Sequence, residues 1–529
     1  MWINGWRESV WAEINREWDM IVIGGGITGA GIFRSAVSAG LRTLLVEAQD
    51  FSFGTSSRSS KLVHGGFRYL YNRQYHVTYE SVQERQRLLR DAPHLITSLP
   101  FNLPNYRQYN YPSWALHLGI IIYDLMAPKW DHRVLSSNEI LNQLSELNHT
   151  GILKSFRYHD AVLDDSRLVL RTIRETVQDG GTAINYAAAD HLLRDNQGVV
   201  RGIVIRDTAS AKGSTVEVKA KVIVNATGPW TDEIRRELNA PDRLRLLRGS
   251  HLVFERARFP ASEAVSFFHP QDRRSMFVIP WEGTTLVGTT DIDHSGKQHG
   301  LSNELHAERN EIEYILSAVD FLFPMLKITQ SDIISTFAGL RPVINTGAAT
   351  PSKESRAHKV WNEKGLITVA GGKLTTFRIM AKDTLEFASA SIGKQVKINP
   401  HQRMLKKLRQ DRCGKLEKKT CNRLLGRFGG ESEKFLQLAK SDEMGQIGSL
   451  PSIWAEVRWA AASEGVVHLD DLLLRRARIG LLLPEGGKSV LSRVRQIVQS
   501  ELGWSDSRWE KEETRYWKIW RTSYSPKPG

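Results

Sequence analysis

Three glycines, Gly24, Gly26 and Gly29, follow a short apolar run at residues 20 to 23 and open a helical pattern from Ile27. Glycines so spaced allow a tight strand-to-helix turn and let the backbone approach a pyrophosphate, whose charge the helix N-terminus stabilises. Glu47 closes the next apolar run, 18 residues past Gly29, where an acid can accept a hydrogen bond from a ribose hydroxyl. Strand, turn, helix and acid together read as a βαβ unit that binds a dinucleotide, NAD or FAD. Two later strand-to-glycine junctions, VIVNATG at 222 to 228 and AGGKL at 370 to 374, decide between them. Three distant junctions point to one extended cofactor across the carboxyl ends of a sheet, as FAD would lie. The loop SSRSSKLVHGGFRYL, residues 56 to 70, adds backbone and hydroxyl donors suited to the flavin end. Thr55, Ser56 and Ser57 sit in no GxSxG elbow, which argues against a serine hydrolase. No His, Asp and Cys cluster has metal-ligand spacing, so no metal is expected.

Those residues need elements to carry them. Apolar runs at 199 to 205 and 216 to 225 read as strands, as do 250 to 254, 275 to 280, 285 to 288 and 365 to 370. Residues 165 to 177 read as a helix, residues 79 to 90 as an exposed charged helix, and the chain after about 400 as helices. The fold class expected is α/β plus α+β: a Rossmann-like cofactor domain, a β-rich substrate domain and an α-helical C-terminal domain. A chain of 529 residues, 41% hydrophobic and 25% charged, suits two to four globular domains. The longest apolar stretch, 114 to 126, has 13 residues including His117 and Asp124. A membrane span needs about 20, so this stretch reads as a buried or interfacial helix. Cys413 and Cys421 make no disulfide framework or zinc pattern and fit a reducing cytoplasm. Arg7, Glu8, Glu13, Arg16 and Glu17 leave no apolar core for a secretory signal.

The net charge is +14, and residues 403 to 427 hold ten basic residues against Asp411 and Glu417. That run reads either as a solvated helix surface or as an attachment to anionic lipid. Nucleic acid is not expected as a partner, because no zinc-finger, RNP or basic heptad pattern accompanies it. Eight of the fifteen tryptophans lie near the termini, at Trp2, Trp6, Trp11, Trp18, Trp504, Trp509, Trp517 and Trp520. Such rings either dock the termini onto the body or meet a membrane interface.

The motifs also carry a resemblance. GGGITGAGI (24 to 32), EAQDF (47 to 51), GTSSRSSKLVHGGFRYL (54 to 70), DDSRLVL (164 to 170) and VNATGPW (224 to 230) run in order with GSHLVF (249 to 254) and FVIPWEG (277 to 283). GTTD (288 to 291), AGLRP (338 to 342), GGKLTTFR (371 to 378) and DLLLRRARIGLLL (471 to 483) follow. The sequence resembles FAD-dependent glycerol-3-phosphate dehydrogenases of the respiratory, membrane-associated kind. The resemblance implies a discontinuous FAD domain at 1–95, 155–235 and 330–400, a substrate domain at 96–154 and 236–329, and a helical domain at 401–529. It implies FAD contacts from Gly24, Gly26, Thr28, Gly29 and Glu47, and from Ser56, Ser57, Lys61, Leu62, His64 and Gly65. Ala189, Thr227, Gly228, Gly372, Lys373, Leu374 and Thr375 complete that set. Arg68, Tyr69, Arg341 and Lys373 are implied on the substrate side, with His64 or His251 as proton acceptor and Arg341 as a catalytic cation. The implied reaction oxidises sn-glycerol 3-phosphate to dihydroxyacetone phosphate and passes electrons through FAD to membrane quinone. The protein would then sit peripherally on the inner face of the cell membrane, against anionic lipid, with homodimerisation left open. Two alternatives stand: an oxygen-using FAD amine, amino-acid or glycerol-phosphate oxidase, and a binding protein whose nucleotide site is vestigial.

Overall fold

The computed structural model describes residues 2–526 except 4, 67–74, 110, 128–130, 211–212, 295–304, 349, 351–353, 355–356, 394–395, 397, 400 and 409–415. Strand Trp18–Ile23 is buried along its whole length, between parallel neighbours Thr43–Val46 and Thr215–Asn225. A strand covered on both faces has no wet side, so its sequence is an apolar run and not an alternation. Helix Ile27–Ser38 covers it, itself packed against helices Asp165–Gln178 and Phe377–Ile392. Strand Thr215–Asn225 changes character along its length. Its outer half pairs antiparallel with Val200–Asp207 and alternates; its inner end, from Val222, is wholly buried beside Trp18–Ile23. Leu366–Gly371 extends this eight-stranded sheet on the far side.

A second sheet of ten strands is centred on Leu244–Glu255, which pairs antiparallel with Ile333–Ile344 and with Thr284–Gly288. Ile96–Tyr106 and Ile152–Leu163 form its other long pair. Leu62–Val63, most of Ile152–Leu163 and all of Ile333–Ile344 were expected in the FAD domain, but they join this second sheet. An apolar run announces a strand without saying which sheet it will join. Helix Tyr75–Asp91 also differs from expectation: Glu84, Arg85 and Asp91 are buried. Arg378 pairs with Glu84, and Arg85 with Asp160, so charges that look solvated in sequence are internal ties.

The C-terminal helices, Lys418–Phe428 to Asp506–Ser523, pack back on the second sheet and on helix Asp165–Gln178. The seam is ionic: Arg475 and Arg476 both bind the wholly buried Asp50, and Arg478 binds Asp164 and Asp165. The basic run joins this bonding. Arg403 pairs with Asp91, Lys406 with Asp179, Arg423 with Glu282 and Glu456, and Arg427 with Asp164 and Glu456. These four side chains are tied to carboxylates of the protein itself, and Arg409, Arg412 and Lys415 lie outside the described residues. Among the described members, Lys407, Lys418 and Lys419 are exposed. The terminal tryptophans dock onto the body: Trp2 stacks on Phe51 at 4.9 Å, and Trp18, Trp509 and Trp520 are buried. Cys413 lies outside the described residues.

Candidate active site

The carboxyl ends of the first sheet's strands build one half of a cavity of about 860 Å3. At the turn after Trp18–Ile23, the Gly25 N–H donates to Glu47 Oε2 at 2.6 Å and the Gln49 N–H donates to Oε1 at 2.9 Å. Burial pushes the Glu47 carboxyl up to about 7 even so. Ser56 Oγ accepts the Ile27 N–H at 2.9 Å, so the serine loop lies over the N-terminus of the 12-residue helix. Gly24, Gly26, Thr28, Ala189, Thr227, Gly228, Gly372, Leu374 and Thr375 line the same space, with Ser56, Leu62 and Glu47. Backbone N–H groups at a helix start, a strand-end acid and a long cavity form a donor set that fits FAD. Four residues expected to touch cofactor stand behind this wall. Gly29 packs against the Gly24 carbonyl, where an added Cβ would come within 1.9 Å of the oxygen. Ser57 and Lys61 are buried, Lys61 Nζ bonding Ser57 O at 2.6 Å, and Gly65 N–H donates to the Tyr123 hydroxyl at 2.8 Å.

The second sheet supplies the other half. Register places His251 opposite Gly288 on one side and opposite Phe337 on the other. Its ring stacks on Phe337 at 4.7 Å, and a Cβ at residue 288 would lie 2.4 Å from its Cδ2, so only glycine leaves room there. His251 Nε2 bonds Ser60 Oγ at 2.9 Å. Arg341 lies across Gly249, its Nη2 donating to Thr289 Oγ1 at 3.0 Å and its Nη1 to Asp291 Oδ1 at 2.9 Å. Arg274 reaches the same aspartate from the turn after Ala264–Phe268, donating to Asp291 O at 2.7 Å. Lys373 Nζ donates to Ser81 Oγ at 2.8 Å. His64, His251, Arg274, Arg341 and Lys373 all line the cavity.

Both histidines are held neutral. Burial pulls His64 down to about 4; Asp160 opposes this, while Lys373, Arg85 and Arg341 add to it. Burial, then Arg341 and Lys61, hold His251 well below its ordinary range. A neutral imidazole beside two or more cations can accept a proton while the cations hold an anion.

Known proteins match this architecture along its length. A family described as FAD dependent oxidoreductase matches residues 19–384, and one described as the C-terminal domain of alpha-glycerophosphate oxidase matches 381–509. The protein named aerobic glycerol-3-phosphate dehydrogenase in Staphylococcus haemolyticus is 31% identical over 491 residues, 88% of this chain and 87% of its own. Its namesake in Staphylococcus epidermidis is 36% identical over 385 residues, 72% of this chain and 68% of its own. The chain belongs to the aerobic glycerol-3-phosphate dehydrogenase family. An X-ray structure of the glycerol-3-phosphate dehydrogenase from Bacillus halodurans complexed with FAD aligns with a TM-score of 0.79 at 27% identity, covering 100% of this chain and 99% of that one. A glycine oxidase from Bacillus cereus aligns with a TM-score of 0.52 at 17% identity, over 74% of this chain and 99% of its own, which is a likeness of fold.

Within this dehydrogenase-family fold, Arg68 and Tyr69 lie outside the described residues. Sequence reasoning missed Ser60, Thr289, Asp291 and Arg274 as parts of the wall. The first three stand inside quoted motifs, where a finer look at neighbours of the chosen residues would have found them. Arg274 stands in a turn with no motif, and only the folded hairpin brings it to Asp291.

Proposed function

We propose that the protein oxidises sn-glycerol 3-phosphate to dihydroxyacetone phosphate, with a membrane quinone as final electron acceptor. The observation that carries this reading is that Arg341 and Lys373 meet two neutral histidines at one end of a cavity whose other end suits a dinucleotide. Bound FAD supplies the hydride acceptor. Arg341 and Lys373 hold the phosphate dianion and so fix the secondary carbinol for reaction. The hydroxyl proton passes to a neutral imidazole, His64 or His251. The same cations lower histidine basicity before substrate arrives, and the bound dianion offsets them, so binding strengthens the base. An amine substrate would bring no second negative charge to this cation cluster. The expected result is a yellow protein that bleaches without oxygen on adding glycerol 3-phosphate, and stays yellow with glycerol or amino acids. Persistent colour with glycerol 3-phosphate would overturn the reading.

The membrane part of the proposal is supported by helix Ser113–Met126. Trp114, Leu118 and Leu125 are 71%, 48% and 66% exposed and share one face. Tyr75 and Tyr79 stand exposed on the adjoining helix, whose Gln83 Nε2 donates to Met126 O at 2.7 Å. An apolar face edged by tyrosines suits a bilayer interface, and no described helix is long and apolar enough to cross a membrane. Leu116, on the helix's inner side, lines the cavity with Leu103, Tyr111 and Phe268, giving it an apolar end suited to a quinone.

A further inference from the structure

The segment between Ser57 and Lys61 is fixed by one buried carboxylate. Asp165 Oδ2 accepts the Ser59 N–H at 3.1 Å, the Ser59 hydroxyl at 2.7 Å and Lys61 Nζ at 2.8 Å. Its Oδ1 accepts Arg478 Nη2 at 2.5 Å, and Arg478 Nη1 donates to Ser57 O at 3.2 Å. The Lys61 side chain is wholly enclosed, with its Nζ 4.8 Å from the Phe337 ring centroid, the ring that stacks on His251. The chain bends here, with Lys61 at φ +60°, so that while Ser59 and Lys61 are tied to Asp165 the Ser60 hydroxyl meets His251 Nε2 at the cavity wall.

We infer that Ser60 is a positioning residue that sets the orientation of the His251 ring, and that Arg478 of the helical C-terminal domain holds Ser60 in place through Asp165. The inference rests on the reading that His251 takes the substrate's proton. The helical domain thereby bears on the reaction without touching substrate or cofactor. Three supports locate the imidazole: Phe337 against its face, the glycine at 288 along its edge, and Ser60 at Nε2. Of these, only the last is a polar contact to a ring nitrogen, and it sets the rotation of the ring in its own plane.

The test uses the FAD-loaded full chain and follows anaerobic flavin reduction by glycerol 3-phosphate in rapid mixing. Ser60→Ala is expected to slow reduction about tenfold or more, leave the substrate dissociation constant unchanged and shift the pH profile of the rate, while Ser60→Thr restores it. Arg478→Lys is expected to slow reduction too, and to add little in the Ser60→Ala background, since both act through one contact. Fully additive losses, or an unchanged rate and pH profile in Ser60→Ala, would overturn the inference. If Arg478→Lys does not fold, Ser59→Ala takes its place in the cycle with the same two outcomes. His251→Ala separates the underlying reading: unchanged reduction there removes the base, whereas a collapse there with neutral Ser60→Ala removes only the positioning role.

Discussion

Two groups of arginines in this molecule have opposite relations to their carboxylates. At the seam of the C-terminal helices, Arg475, Arg476 and Arg478 are buried against Asp50, Asp164, Asp165, Asp470 and Asp471, so the cluster carries no spare positive charge. In the cavity, Arg341 and Arg274 share Asp291, while Lys373 meets a neutral serine hydroxyl. The seam uses arginine to join two domains, whereas the cavity gathers its cations on the wall proposed to hold the substrate. Net charge alone does not distinguish these uses; the ratio of carboxylates to guanidiniums within reach does.

The largest effect belongs to the seam. Asp50→Ala leaves two buried guanidiniums without their shared partner and should cost about 3–5 kcal/mol in urea unfolding. A loss below about 1 kcal/mol would erase the distinction between the groups. Arg341→Ala should lower kcat/KM for glycerol 3-phosphate by about 10²–10³-fold, as the removal of one charge-stabilising group does. Its unfolding midpoint should stay close to that of the parent; a parallel fall in stability would move Arg341 into the structural group.

The cavity cations also fix a pH dependence. His64, one of the two histidines proposed as base, is pulled below its ordinary value, to about 4, by burial first, and an imidazole accepts a proton only when neutral. In the substrate-free enzyme the His64 imidazole, followed by NMR, should therefore stay neutral as pH falls through 6.5 and take up a proton only as pH falls toward about 4. Protonation near 6.5 would show that burial and the neighbouring cations do not act on it. Smaller still is the effect of Trp114→Ser with Leu118→Ser and Leu125→Ser. Pelleting with vesicles of mixed neutral and anionic lipid should be lost, with flavin reduction by glycerol 3-phosphate unchanged. The smallest comes from Lys407→Gln, Lys418→Gln and Lys419→Gln, exposed members of the basic run, where stability should move by no more than about 0.5 kcal/mol. Arg427→Gln, from the same run, should destabilise severely because Asp164 and Glu456 lose their partner.

The cofactor half of the site is legible because its logic is local: a strand, a glycine turn and Glu47 lie within 30 residues, and each residue type states its backbone requirement. The substrate half is legible only through motif likeness. Arg341 and His251 meet because Leu244–Glu255 lies between Ile333–Ile344 and Thr284–Gly288, and no periodicity in the chain announces that register. Helix Tyr75–Asp91 and part of the run at 403 to 427 conceal internal ion pairs for one shared reason. Long charged side chains look solvated until a buried partner is known, and Asp160, Asp164 and Glu456 lie far away in sequence.

The seam also sets an order of events during synthesis. Asp50 and Arg475 are 425 residues apart, and translation adds about 5–20 residues per second. For roughly 20–90 s after Asp50 is made, its cationic partners do not yet exist. The nascent cofactor domain must spend that interval with a core carboxylate either hydrated or protonated, so its final closure waits for the helical segment that carries Arg475 and Arg476.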